Sequence, residues 1–415
     1  MQLKFLVNLL GFGLPALACA DDASGQDLSK ELLQELEAKW GQEVCRFCNY
    51  DRNTAQYADD WMPSTQWGFA GISTFAHLQH TKCLTNPSEA FDIAIVGVPF
   101  DTSVGYRPGA RFGPRAIRHT SGRQSSSRGF NPRAGMNPYQ SWAKLIDCGD
   151  IPITPFDNNI AREQMTQALT QLGQHHTTSS LSSKPKLMIL GGDHSLTLPA
   201  LRALNKIHGR PIRVLHFDAH LDTWHPDAYP SYWGTTYFTH GSMFWMAYQE
   251  GLLSNASSQP SVHAGLRCRL GGNDWKDVED DTAQNWLRLS ADEIDSIGTQ
   301  GIIDQIMNSL GTEDLVYLSV DIDVLDPAFA PGTGTPEAGG WTTRELIRIL
   351  RGVEGLNLVG ADVVEVSPAY QNAGEETALA AAQVVFELLT SMVKRPLKEM
   401  NVVNGQQQTR GRDEL

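Results

Sequence analysis

Cysteine is scarce in this chain: six among 415 residues, too few for a disulfide scaffold. Long apolar runs are scarcer still. Only "MQLKFLVNLLGFGLPALACA", residues 1–20, approaches one, and it is too short and too broken by Gly and Pro for a membrane span. Lys4 ahead of an apolar centre, with the small residues Ala18 and Ala20 before two aspartates, reads as a cleaved secretory signal peptide. Positive charge is also thin: 33 Lys and Arg stand against 47 Asp and Glu, a net charge of −14. That balance repels phosphate backbones, argues against nucleic acid as a partner, and faintly favours a cationic small molecule.

Removal of residues 1–20 takes Cys19 and leaves an odd number of cysteines, so at least one thiol stays unpaired within the chain. Cys45 and Cys48 form "CRFC", but no second closely spaced pair exists to complete a zinc site. A local disulfide, or one bridge from this pair to Cys83, is expected instead. The last four residues, Arg412 to Leu415, read "RDEL" and resemble an ER-retrieval signal. With the N-terminal signal they place the protein in the secretory pathway, either extracellular or in the ER lumen. A single glycosylation sequon, Asn255-Ala256-Ser257, is compatible with that route.

Residues 21–88 form an N-terminal extension without repeats, in which Leu28, Leu32, Leu36 and Trp40 mark a short amphipathic helix. From 89 the texture changes to short apolar runs that each end in a polar or Gly cluster: "FDIAIVGVPFD", "AKLIDCGD", "KLMILGGDHS", "IRVLHFDAHLD", "SVHAGLRC", "WLRLSADEI", "LVYLSVDIDVLDP" and "LVGADVVEVSP". Helical patterns fall at 160–173, 197–207, 301–310, 342–353 and 376–394, the fourth opening with a Thr342/Glu345 capping box. Near-continuous apolar strands alternating with helices predict an α/β fold of three α/β/α layers around a mainly parallel, roughly eight-stranded sheet. One domain spans 89–400, with a polar tail over 401–415.

Ligands of open parallel sheets bind beyond the carboxyl ends of the strands. Three runs end there in groups that favour metals: Asp193 and His194; Asp218, His220 and Asp222; Asp321, Asp323 and Asp326. Singly, each Asp reads as a turn or helix cap. Jointly, they would bury several anions, at several kcal/mol each, unless cations lay between them. Two imidazoles and four carboxylates without a thiolate favour manganese over structural zinc, with iron, cobalt and nickel left open, and they are too many for one tetrahedral ion. Two ions fit better, and such a pair generates hydroxide from water near neutral pH.

The blocks "GGDHS", "DAHLD" and "SVDIDVLDPAFAPGTGTPEAGG" resemble the signatures of the ureohydrolase (arginase/agmatinase) family. The segment "VGVPFDTSVGYRPGARFGPRAIR" is most similar to the agmatinase branch, and the likeness covers about 90–395. The resemblance implies an arginase-like fold and two Mn2+ per subunit. It makes His194, Asp218, His220, Asp222, Asp321 and Asp323 the metal ligands, with Asp218 and Asp321 bridging the ions. It makes Asp222, His240 and Glu365 catalytic, His240 as proton shuttle and Glu365 as holder of the substrate guanidinium. Asp193 and Asp326 are left as structural residues.

The implied activity is hydrolysis of agmatine to putrescine and urea, with a small cationic guanidino compound as partner and a homo-oligomer, trimer or hexamer, as assembly. Guanidinobutyrase, or another ureohydrolase of the same fold, is the alternative. A non-catalytic metal-binding scaffold is a third reading, disfavoured because no ligand position is lost. The aromatic loop 223–239 with Asp227, and Asp157 nearby, border the mouth without being assigned a role.

Overall fold

The computed structural model describes residues 72–229, 238–254 and 260–413, with backbone alone beyond 397. The signal segment, the amphipathic turns at 28–40, the CRFC pair, the sequon and the end of RDEL lie outside the described residues. Each of the eight apolar runs forms a strand: β1 Ile93–Gly97, β2 Leu145–Asp150, β3 Lys186–Leu190, β4 Arg213–Phe217, β5 Ser261–Leu266, β6 Trp286–Ser290, β7 Leu315–Asp321 and β8 Asn357–Val364. They pair in the order β2-β1-β3-β8-β7-β4-β5-β6. Every pairing is parallel. The central strands are buried on both faces, which is why their sequences run apolar without alternation.

Helices cover both faces. On one lie α1 (Gly113–Thr120), α6 (Glu293–Leu310), α7 (Thr343–Gly352) and α8 (Glu376–Asp413), whose Ile117, Ile302, Leu346 and Val385 join one core. On the other lie α2 (Asn158–Gly173), α3 (Thr197–His208) and α4 (Met243–Gln249), with Met165, Leu201 and Phe244 in a second core. A short helix, α5 (Lys276–Ala283), precedes β6. This is the expected three-layer sandwich.

Helices α1, α4 and α5 carry no period long enough to read in sequence. Helix α6 begins earlier than the pattern at 301–310, but Gly298, at φ 68° and ψ 174°, interrupts it, so the regular part matches that pattern. The capping box of α7 is formed: Thr342 Oγ1 accepts from the Glu345 amide at 3.2 Å, and Glu345 Oε2 accepts from the Thr342 amide at 2.8 Å. Within α8 the segment Glu376–Leu397 is long and apolar enough to cross a membrane, yet 78% of its apolar window is buried in the fold. It is the principal core helix of its face.

The bridge expected from the CRFC pair to Cys83 is not made. Cys83 sits in a turn against β2 and is joined to Cys148, with the two Cα atoms 5.3 Å apart. Cys268 keeps a free thiol.

Candidate metal centre

The three ligand-bearing strand ends meet at the centre of the sheet: β7 pairs with β4, and β8 alone lies between β7 and β3. After β3 the chain turns through Gly191 and Gly192. A side chain at Gly192 would place its Cβ 1.9 Å from the Phe100 carbonyl oxygen, so this close passage requires glycine. Asp193 then takes the structural part expected of it, accepting from the Ser195 amide at 3.1 Å and the Ser103 amide at 3.0 Å.

His194 is fully buried and its tautomer is fixed from behind. Its Nε2 lies 2.7 Å from Ser319 Oγ, whose hydroxyl donates to Asp362 Oδ1 at 2.6 Å; Thr197 and Tyr317 hydroxyls also donate to that carboxylate. With its hydroxyl proton committed to Asp362, Ser319 accepts from Nε2–H, which leaves Nδ1 with a lone pair. That nitrogen faces Asp218 Oδ2 at 3.0 Å, Asp222 Oδ2 at 3.1 Å and Asp321 Oδ2 at 3.3 Å. A lone pair among three carboxylate oxygens is repulsive unless a cation sits between them, and such separations suit groups sharing one ion.

Asp218 reaches two groups at once. Its Oδ2 joins His194, His216 and Asp222, while its Oδ1 lies 3.2 Å from His220 Nδ1, itself 3.1 Å from Asp323 Oδ2. Two clusters sharing one carboxylate are therefore present, one of His194, His216, Asp218 and Asp222, the other of Asp218, His220 and Asp323. His194 Nδ1, His216 Nε2 and Asp218 Oδ2 are buried without a well-aligned hydrogen bond. The donor set thus fits a binuclear metal site, and the orphaned atoms converge where the ions would lie.

The acidities tell the same story for the ion-free chain. Burial opposes the charged form of His194 and His220, but their carboxylate neighbours outweigh it and hold both imidazoles well above the usual histidine range. Burial first, then the charges of Asp323 and Asp218, pushes Asp321 well above the carboxylate range. Protons stand in for the missing positive charge. Burial, helped by the neighbouring His194 and His263 and opposed by Asp218, takes His216 the other way, down to about 3.

Glu365 links His240 to the first cluster's His194. His240 Nδ1 is 3.1 Å from Glu365 Oε1, and its Nε2 accepts from the Gly105 amide at 3.0 Å. Burial works against the charged ring, yet the bond to Glu365 and its charge prevail and raise His240 to about 9. Glu365 Oε1 also accepts from the His194 amide at 2.9 Å, while Oε2 is buried with no partner. Asp222 at φ 56° and Glu365 at φ 60° adopt the left-handed region that side chains avoid. Such strain is held where the fold needs a side chain aimed against local preference.

The structure thus brings together His194, Asp218, His220, Asp222, Asp321, Asp323, His240 and Glu365. Asp326 stays apart, accepting from the amides of Gly339 at 2.7 Å and Gly340 at 3.1 Å, and Asp157 caps α2 through the Asn159 amide at 2.8 Å. Sequence reading missed His216, Ser319 and Asp362, each a polar group inside an apolar strand run. That breach of the apolar pattern is the signal that would have found them.

A family model described as the arginase family matches residues 91–390. "Putative agmatinase 3" of Schizosaccharomyces pombe is 47% identical over 339 residues, covering 79% of this chain and 81% of the relative. Guanidinopropionase of Pseudomonas aeruginosa is 37% identical, covering 77% and 92%. The solved proclavaminate amidino hydrolase of Streptomyces clavuligerus superposes with a TM-score of 0.68 at 37% identity, over 80% of this chain and all of that one.

Proposed function

This chain belongs to the arginase family, and we propose that it is a binuclear manganese amidinohydrolase that converts agmatine and water to putrescine and urea. The observation that carries the reading is the pairing of the two clusters around Asp218 with the unpartnered Glu365 Oε2 beside them. His194, Asp222 and the Oδ2 of Asp218 would hold one ion, His220, Asp323 and Oδ1 of Asp218 the other, and Asp321, whose Oδ2 lies 3.3 Å from His194 Nδ1, would add a carboxylate. Manganese suits this oxygen-rich set. When bound, the two cations supply the charge that makes water a nucleophile near neutral pH.

The chain's own groups do the rest. Glu365 Oε2 accepts from the guanidinium N–H groups and orients the planar cation with its carbon toward the clusters. Asp222 takes the proton that the attacking water sheds and passes it toward the departing amine nitrogen. His240, bonded to Glu365 and 13% exposed, exchanges protons between that nitrogen and solvent. The C–N bond to the leaving amine breaks, and urea and a protonated amine result. Incubating manganese-loaded protein with agmatine and assaying urea tests the assignment; urea release supports it, and its absence refutes it.

The similarity to a guanidinopropionase favours one rival, a substrate ending in a carboxylate such as guanidinobutyrate. Side-by-side kcat/KM values for agmatine, guanidinobutyrate and arginine decide between them. Assembly into a trimer or hexamer is read from the family alone, and light scattering on the purified protein measures it. Passage through the secretory pathway, with residues 1–20 removed and RDEL as retrieval signal, is supported by the Cys83–Cys148 disulfide, which persists in oxidising compartments. Localising tagged protein with and without the last four residues tests it; an unchanged distribution removes the retrieval signal.

A further inference from the structure

From His216, at the edge of the first cluster, runs a line of buried polar groups that the reaction does not touch. His216, on β4, has Nε2 2.9 Å from Asp218 Oδ2 and Nδ1 2.7 Å from Nδ1 of His263, on the neighbouring β5. His263 Nε2 lies 3.1 Å from Asp281 Oδ1, on α5. Asp281 also accepts from Thr223 Oγ1 at 2.7 Å and from Arg288 Nη1 at 2.5 Å. His216, His263 and Asp281 are wholly buried.

Asp281 anchors the far end of this line. Asp281 is paired with Arg288 and accepts from Thr223, so it is an acceptor and His263 Nε2 donates to it. His263 Nδ1 in turn meets His216 Nδ1 at 2.7 Å, and His216 Nε2 lies 2.9 Å from Asp218 Oδ2, so the line is continuous from α5 to the shared carboxylate. The indole of Trp286 stacks on His263 with centroids 3.8 Å apart and planes 16° from parallel, which holds the ring in its orientation.

We propose that His263 and Asp281 are positioning residues that act through His216 to hold Asp218, the shared carboxylate, in the orientation that serves both clusters. The inference rests on the two-cation reading of the site. Its physical basis is general: partners of a ligating carboxylate fix its direction and basicity, and losing one costs about 10–100-fold in metal affinity. The contribution is carried by β5 and α5, neither of which supplies a group to the two clusters.

The test is calorimetric titration of Mn2+ into ion-free full-length protein, with Co2+ absorption spectra in parallel, for wild type, His263→Phe, His263→Gln and Asp281→Asn. The expected result is two ions in wild type, affinity weakened about 10–100-fold in His263→Phe and Asp281→Asn with shifted Co2+ bands, and recovery of most of the loss in His263→Gln, whose amide still donates. Circular dichroism and melting of the ion-free variants identify any that misfold; for these, Asp281→Asn, the mildest change, decides. Folded variants with affinities within about threefold of wild type and unchanged spectra would overturn the proposal. So would loss of a directly coordinated nitrogen in spin-echo spectra of Mn2+-loaded His216→Ala, which would make His216 a ligand. Intact ion binding without urea release from agmatine would sink the substrate assignment alone, whereas wild type that binds no ions would sink both.

Discussion

Asp218 is the residue on which the centre turns. It offers one oxygen to each cluster, and burial makes its charge tolerable only among the imidazoles and ions around it. Asp218→Ala is expected to lose both ions and all turnover together, measured by elemental analysis and urea release; full metal content would contradict its bridging part. His240 hydrogen-bonds to Glu365 and Gly105. His240→Ala should therefore keep both ions while kcat falls by about 10²-fold or more, the range of a lost proton-transfer group. A kcat unchanged at every pH would remove the shuttle.

At the scale of elements, the strand ends bring like charges together, and this sets a pH dependence. In ion-free protein the raised imidazoles of His194 and His220 stabilise the fold below their ordinary range, and that contribution is lost as pH rises through their elevated folded values. The raised carboxyls of Asp222, Asp321 and Asp323 act in the same sense, since their protonated forms are lost as pH rises. Cations replace those protons. The melting temperature of chelator-treated protein should thus fall between about pH 6 and pH 9, while the stabilisation given by added Mn2+ should grow over that interval. An ion-free protein that gains stability toward pH 9 would contradict the charge arrangement.

The same strand ends explain what was legible beforehand. Apolar runs stopping at "GGDHS", "DAHLD" and "SVDIDVLDP" announce both strands and ligands, because β-alternation and chain termination of the strand are local properties. Strand order is not local. That β8 and β7 lie between β3 and β4 cannot be read from the runs, so the contacts His194–Ser319–Asp362 and His216–His263–Asp281 were invisible although every member lies in a quoted segment or its neighbouring helix. The Cys83–Cys148 bridge was missed for the same reason: it depends on a turn packing against β2 across 65 residues of sequence.

For the molecule as a whole, that bridge fixes the segment before β1 to an edge of the sheet. Closing a loop of 65 residues restricts the unfolded chain, and the chain-entropy relation gives about 4 kcal/mol of stabilisation. Replacing Cys83 and Cys148 together by Ala should lower the urea midpoint correspondingly with ion binding retained, because neither cysteine belongs to the clusters; an unchanged midpoint would show the loop to be held by packing alone. The apolar helix Glu376–Leu397 fits this picture, since it spends its hydrophobic surface inside the fold.

The most direct measurement is anomalous diffraction from crystals of the full chain grown with Mn2+ and recorded on both sides of the manganese edge. Two manganese peaks are predicted, one beside His194 Nδ1 and Asp222, the other beside His220 Nδ1 and Asp323, with Asp218 touching both. A single peak, or none at these strand ends, would contradict the account.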